Sequence, residues 1–133
     1  MSAPAMPDDV AAALATLEPA LRARLTDVRG TIFEVADRAG VTPLTESLKW
    51  GQPAYRPRAP RTGTTLRLWH QAGRAALFVP CSTSLIDGFR RDLPGAFDYA
   101  GDRAILLSDD DDPSALTTCI ARALTYHRKE AVR

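Results

Sequence analysis

Between Pro19 and Ala39 the apolar residues Leu21, Leu25, Val28, Ile32, Val35 and Ala39 follow one another at steps of four, three, four, three and four. That spacing lays a single stripe along one helix. Glu18 with Arg22 and Glu34 with Arg38 add i,i+4 pairs of the favoured polarity. Pro19 suits a first helical position and Gly40 a C-terminal stop, so both ends are marked. Asp8 to Leu17 predicts a short preceding helix that docks Leu14 and Leu17 on the same core. Thr42-Pro43 reads as a cap and first-turn proline, which predicts one or two further helical turns through Leu48.

After Leu48 the period changes. Lys49 to Tyr55 mixes large aromatics with Gly51 and Pro53, as a strand or strand-like bend between helix and sheet does. Arg56 to Gly63, rich in proline and arginine, reads as an exposed loop. Thr64 to His70 alternates, with Leu66 and Leu68 on one face and Arg67 and Trp69 on the other, which predicts a strand. Gln71-Ala72-Gly73 turns it into a second strand, Arg74 to Cys81, where Ala75, Leu77, Val79 and Cys81 share a face. A helix is expected from about Ser84, carrying Leu85, Ile86 and Phe89 inward and stopping at Leu93-Pro94-Gly95. Phe97–Ala100 and Arg103–Leu107 form a hairpin about Gly101-Asp102. Asp112-Pro113 then opens a last helix with the stripe Leu116, Cys119, Ile120, Ala123, Leu124 and His127. Short hairpins imply antiparallel pairing, so the expected class is α+β: about five antiparallel strands covered by N-terminal, middle and C-terminal helices.

Composition narrows the class without naming a function. A chain of 133 residues fits one domain, residues 1–133, with 1–18 as an N-terminal extension or short helix. A net charge of +1 and 45% hydrophobic residues exclude a disordered chain. No run of about 18 apolar residues is present to span a membrane. Met1 to Asp9 carries two acids, no base and no apolar core, unlike a secretory leader. Cys81 and Cys119 do not make a disulfide framework, so a reducing cytoplasm is the expected location. A monomer or homodimer without a cofactor is the expected state.

Leu48-Lys49-Trp50-Gly51-Gln52-Pro53-Ala54-Tyr55 resembles the signature of the YdhG-like family, a bacterial domain of unknown function related in fold to the YjbR/CyaY, frataxin-type group. The resemblance continues through Gly63–Arg67, Leu77–Cys81, Phe89-Arg90, Gly101–Ile105 and Leu124–Arg128, and so covers roughly Leu21 to Arg128. It implies an α+β sandwich with an antiparallel sheet and no established reaction. Some relatives carry an iron-chaperone label. The proline- and arginine-rich loop after Tyr55 is longer here than in the plainest members.

Charge is the most uneven property along the chain. Lys49, Arg56, Arg58, Arg61, Arg67 and Arg74 fall in one stretch with no acid, whereas Asp92 to Asp112 holds seven aspartates and only Arg103 as a base. Guanidinium forks on such a basic face can hold a carboxylate or phosphate. Solvated loops that neutralise one another are the plainer account. Nucleic acid is not an expected partner, because the overall charge is nearly balanced and no recognised binding motif occurs.

Lys49, Trp50, Gln52 and Tyr55 are the best pocket candidates, joined by Arg67 and bordered by Arg103 and His127. Lys49 and Arg67 would supply charge; Trp50 and Tyr55 would supply apolar contact with one polar handle each. Simple alternation puts Lys49 and Trp50 on opposite faces. These residues predict a non-catalytic module for a small anionic or amphipathic ligand, or for a protein partner. Two alternatives belong to other classes. Cys81 precedes a helix start and could act as a nucleophile with His127 as base, although its shared face with Leu77 and Val79 predicts a buried, inert thiol. Iron or another metal could sit on Asp109–Asp112, although those aspartates lack calcium-loop spacing and suit a helix start. His70, Cys81, Cys119 and His127 offer no close-spaced ligand pair.

Overall fold

A computed structural model describes residues 3–128. The order of elements is α1 (Asp8–Ala15), α2 (Pro19–Ala39), β1 (Leu44–Lys49), β2 (Gln52–Pro57), β3 (Leu66–Gln71), β4 (Arg74–Phe78), α3 (Leu85–Asp92), β5 (Asp98–Ala100), β6 (Ala104–Leu106) and α4 (Pro113–Leu124). All strands join one antiparallel sheet in the order β1-β2-β3-β4-β6-β5. The class is α+β, with six strands where about five were expected. The extra strand is β1. Residues read as helix after Thr42-Pro43 instead pair along their whole length with β2, from Leu44 opposite Pro57 to Lys49 opposite Gln52. Too few apolar positions at helical spacing lie between Pro43 and Lys49 to bury a helical face, and strand pairing satisfies their backbone groups instead.

The long helix runs over the residues its stripe marks, and Gly40 closes it in the left-handed region at φ 71°. Val41 N–H then reaches back to Ala36 O at 2.9 Å, and Val41 itself is buried. Leu25, Val28, Ile32 and Val35 are buried against the sheet, while Leu21 and Ala39 at the stripe's ends are half-buried. At the other end of the chain, Asp112 caps α4 by accepting from Ser114 N–H at 2.9 Å.

Strict alternation divides the sheet into two sides. Leu44, Tyr55, Leu66, Leu68, Leu77 and Ile105 occupy the side facing the helices and are all buried. α1 packs on β1 and β2, α2 on β3 and β4, and α4 beside α2 on β3, with α3 against α4. Lys49, Gln52, Arg67, Trp69 and Phe78 lie on the other side, which none of the four helices covers. Only a small apolar cluster sits there, with Ala76, Phe78 and Ala104 buried beneath Trp69, Ala100 and Leu106.

Two hairpins have two-residue turns in which both residues take positive φ: Trp50 (55°) with Gly51 (75°), and Ala72 (55°) with Gly73 (75°). These values suit the right-handed twist of the flanking strands. The Lys49–Tyr55 segment is therefore a strand-to-strand turn plus the start of β2, not a bend between helix and sheet. The loop after β2 also departs from expectation. Arg58, Ala59, Pro60 and Arg61 are exposed, but Thr62 and Thr64 are buried and tied to the end of α4. Thr64 N–H donates to Ala123 O and His127 N–H to Thr62 O, each at 3.0 Å. A Cβ on Gly63 would lie 2.0 Å from Leu124 O, so the two backbones touch there.

One ion pair is sealed between the layers. Arg29 of α2 grips Glu46 of β1 with two bonds, at 2.7 and 2.9 Å, and donates to Pro4 O at 2.8 Å. Tyr55 stands opposite Glu46 in the register, fully buried, with its ring edge-on to Phe33. Among the described residues no partner reaches its hydroxyl at hydrogen-bond geometry, and desolvation followed by the Glu46 charge pushes its pKa far above the ordinary tyrosine value.

Candidate functional site

On the helix-free side a pocket of about 170 Å³ is lined by Lys49, Trp50, Thr65, Arg67, Val79, Pro80, Cys81, Ser82 and Arg103. Four chain segments meet in it. The β1–β2 turn brings Lys49 and Trp50, and the start of β3 brings Thr65 and Arg67. The chain leaving β4 brings Val79 to Ser82, held in a tight turn by Thr83 N–H and Thr83 Oγ1, which both donate to Pro80 O. Arg103 ends the β5–β6 turn, and its carbonyl accepts from Val79 N–H at 2.8 Å, fixing it beside the β4 exit.

Arg67 is the centre of the arrangement. Its guanidinium lies 4.9 Å from the centre of the Trp50 ring and 5.0 Å from that of Phe78, its cross-strand partner. It also donates to Gln52 Oε1 across the β2–β3 ladder. Lys49 Nζ lies 5.3 Å from the Trp50 ring. Aromatic faces carry negative potential, so these contacts hold both cations in place without neutralising them. Burial, and after it the nearby Arg103 charge, lowers the Arg67 pKa from its ordinary value.

No carboxylate lines this pocket, and among the described residues Lys49, Arg67 and Arg103 form no ion pair. Within the acidic run from Asp92 to Asp112, Asp92 pairs with Arg91 and Arg122, Asp98 with Arg74 and Asp111 with Arg24, while Asp102 lies outside this pocket, on the adjoining hollow. Mutual neutralisation of the two charged runs therefore occurs at Arg74–Asp98 and leaves this pocket untouched. Three positive side chains facing one hollow without a counter-charge repel one another, and an anion entering it relieves that repulsion.

Five of the seven residues expected at the site converge. Lys49, Trp50, Arg67 and Arg103 line the pocket, and Gln52 holds Arg67 from behind. Alternation misplaced Trp50 relative to Lys49, because the turn begins at Trp50 and reverses the chain. Tyr55 is corrected: it points to the helix side, is 0% exposed and cannot touch a ligand there. Three residues from Gln52, it falls on the opposite side of β2. His127 is also corrected. It lies beyond the end of α4, exposed and stacked edge-on against Tyr126, and does not line the pocket. Cys81 was expected on the buried face of Leu77 and Val79, but β4 ends at Phe78 and the following turn leaves the thiol exposed on the pocket wall. Thr65 and Phe78 are missing from the expected set, although alternation puts each on the side of its strand away from the leucines; nothing in the pattern marks Ser82.

Among the described residues, no three of His, Cys, Asp and Glu are grouped to hold a metal ion. Asp111 accepts from Ser108 N–H and Ser108 Oγ besides pairing with Arg24, Asp110 accepts from Ser108 Oγ, and Asp112 caps α4. No described helix is long and apolar enough to cross a membrane. Comparison with protein-family models, curated proteins and solved structures finds no match to this chain.

Proposed function

We propose that the protein is a non-catalytic binding module for a small anionic, amphipathic ligand, held on the helix-free side of the sheet. The observation that carries this reading is the set of three cations, Lys49, Arg67 and Arg103, without an ion pair among the described residues, around one acid-free pocket. Trp50 supplies the apolar half. It is 76% exposed, the only large hydrophobic residue so exposed among those described, and its backbone sits in a region that bulky side chains avoid. A ring kept at that position in spite of the strain is what an apolar wall for a ligand requires. The resemblance of Lys49 to Tyr55 to the YdhG-like signature supports assignment to that group and adds no reaction. Cytoplasmic residence remains part of the same reading.

A thiol-dependent enzyme would have to work through Cys81 in this pocket. The lining supplies it with neither an imidazole nor a carboxylate as base, so binding is the better account of the geometry. The test is thermal stabilisation and calorimetry with 1-naphthalenesulfonate and inorganic phosphate on the wild type, Arg67→Gln and Arg103→Gln. Each substitution removes a charge-assisted hydrogen bond and is expected to weaken sulfonate binding about tenfold. Equal affinity in all three proteins, or no binding of either anion at millimolar concentration, overturns the reading.

A further inference from the structure

The basic pocket does not stand alone. Trp50, Arg67 and Arg103 are shared with an adjoining trough of about 520 Å³, which is also lined by Gln52, Gln71, Phe78 and the β5–β6 turn from Ala100 to Asp102. The two hollows differ in character. The pocket holds Lys49 and two hydroxyls, Thr65 and Ser82, with no acid. The trough is broader, and its lining includes Trp50, the edge of the buried Phe78, the amide of Gln71 and the carboxylate of Asp102.

Size separates their tasks. At about 170 Å³ the pocket lies below the roughly 300–1,000 Å³ of ordinary small-molecule sites, so it suits a head group rather than a whole ligand. Its lining carries more donors than a carboxylate can use: two guanidiniums, an ammonium and two hydroxyls, with no carboxylate among them. A phosphate monoester, with three terminal oxygens and close to two negative charges at neutral pH, matches that donor set. The trough asks for something flat. Trp50 offers an exposed ring for stacking, and stacking on an aromatic face is available to any heterocycle. Gln71 and Asp102 provide a donor, and acceptors, for a ring edge.

We propose, resting on the binding reading above, that the ligand is a mononucleotide-like phosphate monoester: its phosphate lies among Lys49, Arg67 and Arg103, and its planar base lies in the trough against Trp50. Arg67 stands at the junction and is held by Gln52 and by the two rings, so it contacts the phosphate from a fixed position.

Calorimetry with six probes tests this: adenosine monophosphate, adenosine, ribose 5-phosphate, inorganic phosphate, 1-naphthalenesulfonate and a short single-stranded oligonucleotide. Adenosine monophosphate is expected to bind about tenfold or more tightly than ribose 5-phosphate, the margin a stacked base supplies. In Trp50→Leu its affinity falls to that of ribose 5-phosphate, whereas Trp50→Tyr, which keeps a ring at the same turn, retains most of the margin. Arg103→Gln weakens adenosine monophosphate and ribose 5-phosphate by the same factor. Equal affinity for those two probes in the wild type removes the base from the proposal; adenosine bound as tightly as its monophosphate removes the phosphate. An oligonucleotide bound far more tightly than the monomer overturns it in favour of a strand-binding face. Binding of the naphthalenesulfonate alone, weakened by Arg103→Gln, overturns the mononucleotide while leaving the anion-binding reading intact. Failure of every probe overturns both.

Discussion

The two cysteines show how far a side chain's chemistry depends on where the chain stops being regular. Cys119 keeps the helical period of α4, is buried, and burial pushes its thiol up to about 12. Cys81 loses the period of β4 because the strand ends at Phe78, so its thiol reaches solvent beside Lys49, Arg67 and Arg103. In the folded protein at pH 8 only Cys81 should react with a thiol reagent, and Cys119 should follow on unfolding. The dianionic reagent 5,5′-dithiobis(2-nitrobenzoate) should outpace a neutral pyridyl disulfide at Cys81 relative to a small model thiol. In Arg103→Gln that advantage should shrink about two- to fivefold, the effect of one partly screened charge. Two equally fast thiols, or a ratio indifferent to Arg103, would contradict the placement of these side chains.

At the scale of elements, local pattern was legible wherever one face of an element is buried and the other wet. The α2 stripe, the Leu66–Leu68 alternation and the Asp112 cap all lie as their spacing implies. It failed where tertiary partners decided. Pro43 was read as a helix start, yet β1 exists because β2 lies alongside it. Arg56 to Gly63 has the composition of an exposed loop, yet its end at Thr62 and Gly63 is pinned to α4, a contact between residues some sixty apart for which a local pattern carries no signal. Gly63 measures that pinning. A methyl group there meets the Leu124 carbonyl at 2.0 Å, and its obstacle is backbone rather than a movable side chain. Gly63→Ala should cost about 2–4 kcal/mol in chemical denaturation, in the range of severe overpacking. By contrast Gly30→Ala, in the middle of α2 with open space around it, should gain up to about 1 kcal/mol. Similar stabilities for the two variants would refute the close approach.

Across the whole molecule, the helix side carries titratable groups whose cost is invisible at neutral pH. Tyr55 and Cys119 both have folded pKa values raised above their ordinary 10.0 and 9.0. Above those ordinary values the unfolded chain releases protons that the folded one keeps, so stability falls as pH rises. Their contribution is complete below about pH 9 and is lost progressively above it, for Cys119 up to about pH 12. The slope is at most about 1.4 kcal/mol per pH unit for each group. Cys119→Ala should flatten the decline between pH 9 and 10, at some loss of stability from the cavity, and Tyr55→Phe should flatten it above pH 10. The phenylalanine variant should be as stable as wild type at pH 7 or slightly more so, because the buried hydroxyl it loses has no hydrogen-bond partner among the described residues. An alkaline profile unchanged in both variants would assign the decline to other groups.

The site as a whole was half legible. Lys49, Trp50, Gln52 and Arg67 stand out by residue type in a stretch of Gly and Pro, but Arg103 reaches them only through the β4–β6 pairing, and Cys81 and Ser82 only through an irregular turn. Side-chain type signalled the chemistry; the sheet order decided which of those residues could meet.

The strict odd–even division of the strands has one more consequence. Because neighbouring positions in β3 serve opposite sides, deleting a single residue between Leu66 and Leu68 would transpose everything downstream in that strand. Leu68 would be left bare on the open side and the Trp69 ring driven beneath the helices. Outside the pocket, the open side of the sheet therefore tolerates a change of residue type far better than a change in strand length.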